Sequence, residues 1–206
     1  MGFFKFLKPI VFPIKRRYAI FRLLRAVRKP NVKIVVGASD IFDTGWVPTD
    51  MDFLNLLVDS DWQAFFKRDT VAAILAEHVW EHLSPEQGEL AATNCFKYLK
   101  PDGHLRIAVP DGFHPMREYI EHVKIGGIGP GAHDHKILYN YKVMTAMLQR
   151  VGFTVKLLEY YDEDGQFHES AWKSEDGHIH RSKNHDKRNA TGVLNYTSLI
   201  VDAVKP

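Results

Sequence analysis

The sequence predicts an α/β domain built on buried parallel strands, and three observations carry that prediction. Val32, Ile34, Val35 and Val36 form a β-branched run that stops at Gly37, as a strand buried on both faces does where a glycine lets the chain turn. Short apolar runs, the second interrupted by Arg106, recur at residues 71–76 and 105–109, each of strand rather than helix length. Between them stand Ser84, Pro85 and Gln87. Serine caps a helix, proline fills its first turn, and glutamine reaches back to the capping amide.

Taken in order, the chain opens with an arm over residues 1–30. Pro13 can start a helix running to about Lys29, with Ile14, Tyr18, Phe21, Leu24 and Val27 near one face and arginines elsewhere. Basic residues interrupt its apolar runs too soon for a membrane span. No long apolar core leads to a cleavage site, and Phe6 stands where a myristoylation signal wants Ser or Thr. The first strand follows, then a second beginning near Trp46 and Val47 that leaves Asp50 at its tip. Residues 53–66 read as helix or irregular chain. The strand at 71–76 ends at Glu77, the capped helix runs over 85–99, and Pro101, Asp102 and Gly103 turn the chain into the strand at 105–109. Asn140 caps a further helix whose buried face is Val143, Met144, Met147, Leu148 and Val151, and Gly152 ends it. Strands at 154–159 and 195–204 close the domain, which spans residues 31–206 with a polar excursion at about 162–189.

Composition narrows the function. The 206 residues are 45% hydrophobic and 25% charged, as in soluble globular domains. Cys95 is the only cysteine, so an internal disulfide and a cysteine-rich zinc site are both excluded. Residues 1–33 hold ten Lys or Arg and no acid, which leaves 17 basic and 25 acidic residues, a net −8, for the rest. That balance argues against a nucleic-acid-binding surface on the domain and moves the basic character to the arm. The arm fits an anionic membrane surface, with aromatics inward and guanidinium groups toward phosphates. It equally fits an amphipathic helix packed over the domain edge or acting as a lid.

Gly37 with Gly45, Trp46 and Asp50, then AEHVWEHL at residues 76–83, then YLKPDGHLRIAVPD at 98–111, together resemble the small class I S-adenosylmethionine-dependent methyltransferases. The resemblance covers roughly residues 32–204. It implies a Rossmann-like seven-stranded mixed sheet with helices on both faces and the last strand antiparallel. It also implies an enzyme that uses S-adenosyl-L-methionine; a small-molecule polar acceptor is expected, the single cysteine fits a reducing, cytoplasmic compartment, and the enzyme is peripheral on the inner face of a membrane if the arm meets one. By position, Gly37 borders the methionine moiety, Asp50 holds the ribose hydroxyls, Asp59 or Asp61 meets the adenine, and Glu77 and His78 end the strand where cofactor and acceptor meet. One departure stands out: a second glycine is usual two positions after the first, and this chain has Ala38 and Ser39 there, so Ser39 brings a side chain toward the methionine carboxylate. A nicotinamide enzyme fits poorly, because no GxGxxG lies between Gly37 and Asp50 and the interval is too short for a diphosphate-facing helix.

Methyl transfer requires alignment of nucleophile, methyl carbon and sulfur, with water excluded, and an oxygen or ammonium acceptor also needs a base. His78, Glu81 and His82, at i, i+3 and i+4, cluster if they share a helical turn. His78 is the favoured base and Glu81 its orienting partner, against the simpler reading that Glu81 and His82 tether the following helix. A second group comprises Asp111, His114, Arg117 and Tyr119, then His133, Asp134 and His135 beyond a glycine-rich loop that could close over an acceptor. His133 and His135 are further catalytic candidates. Two histidines so spaced share one side only in extended chain, so no metal is assigned. The excursion, with Trp172 and four histidines, either folds across the acceptor site, Trp172 supplying an apolar wall, or forms a mobile surface loop. The alternative to an enzyme is a catalytically inactive methyltransferase-like binding or regulatory domain.

Overall fold

The computed structural model describes residues 16–38 and 42–206. Residues 16–26 form helix α1. A seven-stranded sheet follows: β1 (Val32–Val36), β2 (Val47–Pro48), β3 (Val71–Glu77), β4 (Leu99–Pro110), β5 (Thr154–Tyr161), β6 (Phe167–Glu169) and β7 (Ser198–Val204), in the order β2-β1-β3-β4-β7-β5-β6. β2, β1, β3 and β4 pair in parallel, and β7 is inserted antiparallel between β4 and β5. This is the Rossmann-like mixed sheet with flanking helices that the sequence predicts. Its seventh strand is unexpected. Between β2 and β3 lies helix α2 (Asp59–Phe65) and no strand, whereas β6 is a hairpin partner of β5 inside the supposed polar excursion.

Local chemistry accounts for the helix ends. At the start of α3 (Pro85–Tyr98), Gln87 N donates to Ser84 Oγ at 3.3 Å and Ser84 N donates to Gln87 Oε1 at 3.0 Å, the reciprocal cap expected. The short helix α4 (Arg117–Val123) follows β4. α5 (Tyr141–Val151) begins with Val143 N donating to Asn140 Oδ1 and ends at Gly152 with φ +111°, a left-handed position that suits glycine. The last strand starts at Ser198, three residues later than predicted, because Asn195 N and Tyr196 N both donate to Asn189 Oδ1 and leave the ladder.

Strand alternation divides the interior into two faces. Ile34, Val36, Ile74, Ile107 and Val201 meet Leu23 of α1, Trp62 of α2, Ala91 and Cys95 of α3, and Met144 and Leu148 of α5. The opposite face carries Val35, Leu75, Ala108 and Ile200 together with charged groups, and residues 172–183 cover it as a strap. Ile179 of the strap is fully buried. Polar side chains of the strands fasten the strap by its backbone: Lys33 Nζ donates to Glu175 O, Arg106 Nη1 to Lys173 O and Gly177 O, and Lys183 N donates to Glu159 Oε2. Arg106, itself buried, also holds Asp202 through two bonds of 2.7 and 2.8 Å and lies 4.9 Å from the Trp172 ring. The surface-loop expectation is therefore corrected for this stretch. Satisfying buried polar groups on the sheet requires partners, and the strap's peptide groups supply them.

The arm also needs correction. Leu23 is its buried anchor, flanked by Ala19, Ile20, Ala26 and Val27, while Tyr18, Phe21 and Leu24, expected near a common apolar face with Val27, point outward. Arg16 of the same helix donates to Asp52 O. Ile14 and the rest of residues 1–15 lie outside the described residues. Among those described, no helix is long and apolar enough to cross a membrane.

Candidate functional site

Strand order reverses at β1, which has β2 on one side and β3 on the other. Open α/β sheets bind ligands in the crevice beyond the carboxyl ends of strands at such a reversal. A cavity of about 330 Å³ opens there, between Val35 to Ala38 and Leu75 to His78. It lies at the small end of the roughly 300–1,000 Å³ usual for ligand sites. Gly37 forms part of its floor with φ +60°, and a Cβ at that position would stand 2.8 Å from Val79 Cγ2. Both the turn and the close approach of Val79 require glycine there.

One wall is the turn after β3. His78 leaves the strand with φ +55°, a left-handed conformation that costs a non-glycine residue about 1–3 kcal/mol and must be held by its surroundings. Its amide donates to Ala108 O at 2.8 Å. Its Nε2 is within hydrogen-bond distance of Ser198 Oγ at 3.0 Å, and its Nδ1 lies 3.1 Å from Glu81 Oε1 without forming a hydrogen bond. The order Ser198, His78, Glu81 is that of a nucleophilic triad, but Ser198 is fully buried and does not line the cavity. No substrate carbonyl reaches it.

Glu81 is 1% exposed, and neither of its carboxylate oxygens receives a hydrogen bond, its 3.1 Å approach to His78 Nδ1 being a charge contact. His82 and His135 stand beside it with ring centroids 4.9 Å apart, edge to face. His135 Nδ1 lies 2.7 Å from Val123 O. A carbonyl only accepts, so Nδ1 carries a proton, which leaves Nε2 as the other ring nitrogen, free of that contact. Lys136 N donates to Glu81 O at 2.7 Å and ties this loop to the turn.

The sequence-predicted residues divide accordingly. Gly37, Glu77, His78, Glu81 and His135 line the cavity, as does His82. Glu77 does so with its carboxylate engaged by the strap, accepting from His180 N and Arg181 N at 3.1 and 2.9 Å. Asp50 stands at the tip of β2 away from the cavity lining, and its Oδ1 accepts from Met51 N. Asp59 takes Lys97 and Tyr98 as partners, and these hydrogen bonds hold its carboxyl below the usual range. Asp61 accepts from Asn55 N. Both belong to the packing of α2 rather than to the cavity. His133 is exposed, two positions before buried His135. Ser39 lies outside the described residues.

The Asp111 group forms a separate joint. Asp111 accepts from Phe113 N and Tyr161 N, and burial nevertheless pushes its carboxyl up to about 6. His114 stacks on Tyr119 at 3.8 Å, its Nδ1 accepts from Met116 N, and burial holds its pKa down to about 4. None of these side chains lines the cavity.

Sequence reasoning missed Phe42, Asp43 and Pro130 in the lining. It named His178 and His180 without placing them. Ile179 between those histidines is the available signal, since a lone apolar residue in a polar run marks a point of burial. Trp172, the expected cavity wall, lies instead over Arg106, with Nε1 donating to Glu159 Oε1.

No protein-family model and no curated protein matches this chain. Among solved structures it is similar to a SAM-dependent methyltransferase from Archaeoglobus fulgidus, at 13% identity over all of both chains with a TM-score of 0.48. It is also similar to an S-adenosylmethionine-dependent methyltransferase from Mesorhizobium loti, at 13% identity over 90% of this chain and 97% of that one, with a TM-score of 0.49. At such identities and scores the strand order itself, rather than these pairings, defines the fold.

Proposed function

We propose that the protein transfers a methyl group from S-adenosyl-L-methionine to a small polar acceptor. The observation that carries this reading is the cavity at the β1/β3 reversal, floored by the Gly37 turn and walled by Glu81, His82 and His135. The AEHVWEHL and Gly37-to-Asp50 resemblance supplies the cofactor, with Gly37 beside its methionine part and the ribose extending past the cavity lining toward Asp50 at the tip of β2. The sulfonium carries its own leaving group. The chain's residues therefore have to position the acceptor, exclude water and receive a proton. Phe42 and the strap residues His178, His180 and Arg181 line the cavity beside these groups. His78 stands beside Glu81, and the acceptor's reacting atom sits against the group formed by Glu81, His82 and His135.

Methyl-labelled S-adenosylmethionine incubated with phenols, sugars and amines tests this. Label transfer to one acceptor class, reduced about 10²–10⁴-fold in His135→Ala, is the expected result. The second reading, a non-catalytic binding domain, is favoured by the engagement of Glu77 with the strap. Cofactor binding without any label transfer would select it.

The reading extends to location. Tyr18, Phe21 and Leu24 are 62%, 54% and 42% exposed on α1, among exposed Arg17, Arg25 and Arg28. This stripe suits the inner, anionic face of a membrane, with the catalytic domain in the cytoplasm.

A further inference from the structure

Glu81 presents a problem that the methyl-transfer reading leaves unsolved. A carboxylate taken out of water is costly unless paired and hydrogen-bonded, yet this one is 1% exposed with both oxygens lacking a donor. Its neighbours are two imidazoles, and one donor atom from each of Glu81, His82 and His135 lies within 4.8 Å of the others. We propose that these three residues bind a divalent transition metal of the zinc, cobalt or manganese class at the cavity wall.

Three features of the geometry support a metal over a mere cluster of polar groups. Each histidine has an outer partner on Nδ1: Val123 O lies 2.7 Å from His135, and Asp134 Oδ2 lies 3.4 Å from His82. Ligating histidines are ordinarily oriented in this way, and the arrangement leaves Nε2 of both rings for an ion. The bond from Lys136 N to Glu81 O fixes the two ligand-bearing segments to each other. Glu81 has a second oxygen besides the one facing His78, so the His78 contact and metal ligation are compatible. Donors around an ion at about 2.0–2.2 Å stand roughly 3.5 Å apart, so closing the set needs side-chain movement of about 1 Å. Two imidazoles and one carboxylate favour transition metals over magnesium or calcium, which take oxygen sets. The three residues leave a coordination position for water or an acceptor atom, as catalytic sites do. A second cluster, Asp43, His178 and His180, borders the same cavity, but Asp43 and His180 are exposed and the cluster contains no orphaned buried carboxylate.

The proposal concerns metal binding and stands whether or not S-adenosylmethionine binds. It is tested on the full chain by titrating Co²⁺, following its visible absorption, and competing with Zn²⁺. One Co²⁺ per chain, displaced by Zn²⁺, is expected. Glu81→Gln and His135→Ala should weaken binding by at least about tenfold, and His180→Ala should leave it unchanged. Should His135→Ala fail to fold, His82→Ala, at a half-buried position, carries the same expectation. Zn²⁺ should raise the melting temperature of the parent and not of Glu81→Gln. Absence of saturable binding by the folded chain would overturn the proposal, as would binding insensitive to Glu81→Gln or lost only in His180→Ala.

Discussion

Gly37 carries two constraints at once, a positive φ and a Val79 methyl where its own Cβ would stand. Gly37→Ala should therefore destabilise the fold by about 1–3 kcal/mol, read as a lower urea midpoint with an unchanged slope. A midpoint equal to the parent's would show that the turn relaxes freely. The turn at this residue was legible from the β-branched run ending in glycine, whereas glycine after a strand is too common to mark a cofactor site by itself. The choice between His133 and His135 was not legible, since a short 3-10 turn at Ala132–Asp134 sends one ring outward and brings the other to Val123 O. Spacing alone does not say which. Asp111 and His114 make a titration prediction. The folded chain prefers Asp111 protonated, so that preference adds stability below pH about 4 and is lost as pH rises through about 6. It prefers His114 neutral, so that contribution is present above pH about 6.5 and is lost as pH falls through about 4. The two oppose each other across this window. His114→Phe removes the second and retains an aromatic ring on Tyr119, so the variant should gain stability relative to the parent between pH about 7 and 4.5. A difference in urea midpoint that does not vary with pH would contradict the assignment.

Among the elements, the capped helices and the buried strands follow directly from their residues, because caps and hydrophobic runs act over a few positions. The strap does not. Its apolar anchors are isolated, and its fastenings join backbone groups to side chains from strands far away in sequence, such as Arg106 to Gly177 and Glu77 to Arg181. Its polar composition thus reads as surface although Ile179 is buried. Arg106→Ala leaves Asp202 without its bidentate partner and frees the carbonyls of Lys173 and Gly177. A loss of about 3–5 kcal/mol is expected, as for other broken buried pairs. Hydrogen exchange should rise across residues 172–183 before it rises in α3. Uniform loosening of the whole chain would mean that the strap is not a separate cooperative unit.

At the scale of the whole molecule, charge and topology divide the labour. The arm is basic, the remainder acidic, and α1 joins them by burying Leu23 while leaving Tyr18, Phe21 and Leu24 outside. Phe21→Glu should reduce binding to anionic vesicles several-fold without changing the urea midpoint, since the side chain is 54% exposed. Equal vesicle binding would remove the membrane assignment. In the proposed function the crevice between β1 and β3 is a methionine-cofactor site. Calorimetric titration of the full chain with S-adenosylmethionine and with its demethylated product tests it most directly. Saturable binding of both at one per chain, weakened by Gly37→Ala, is the expected result. Folded protein that binds neither would contradict it.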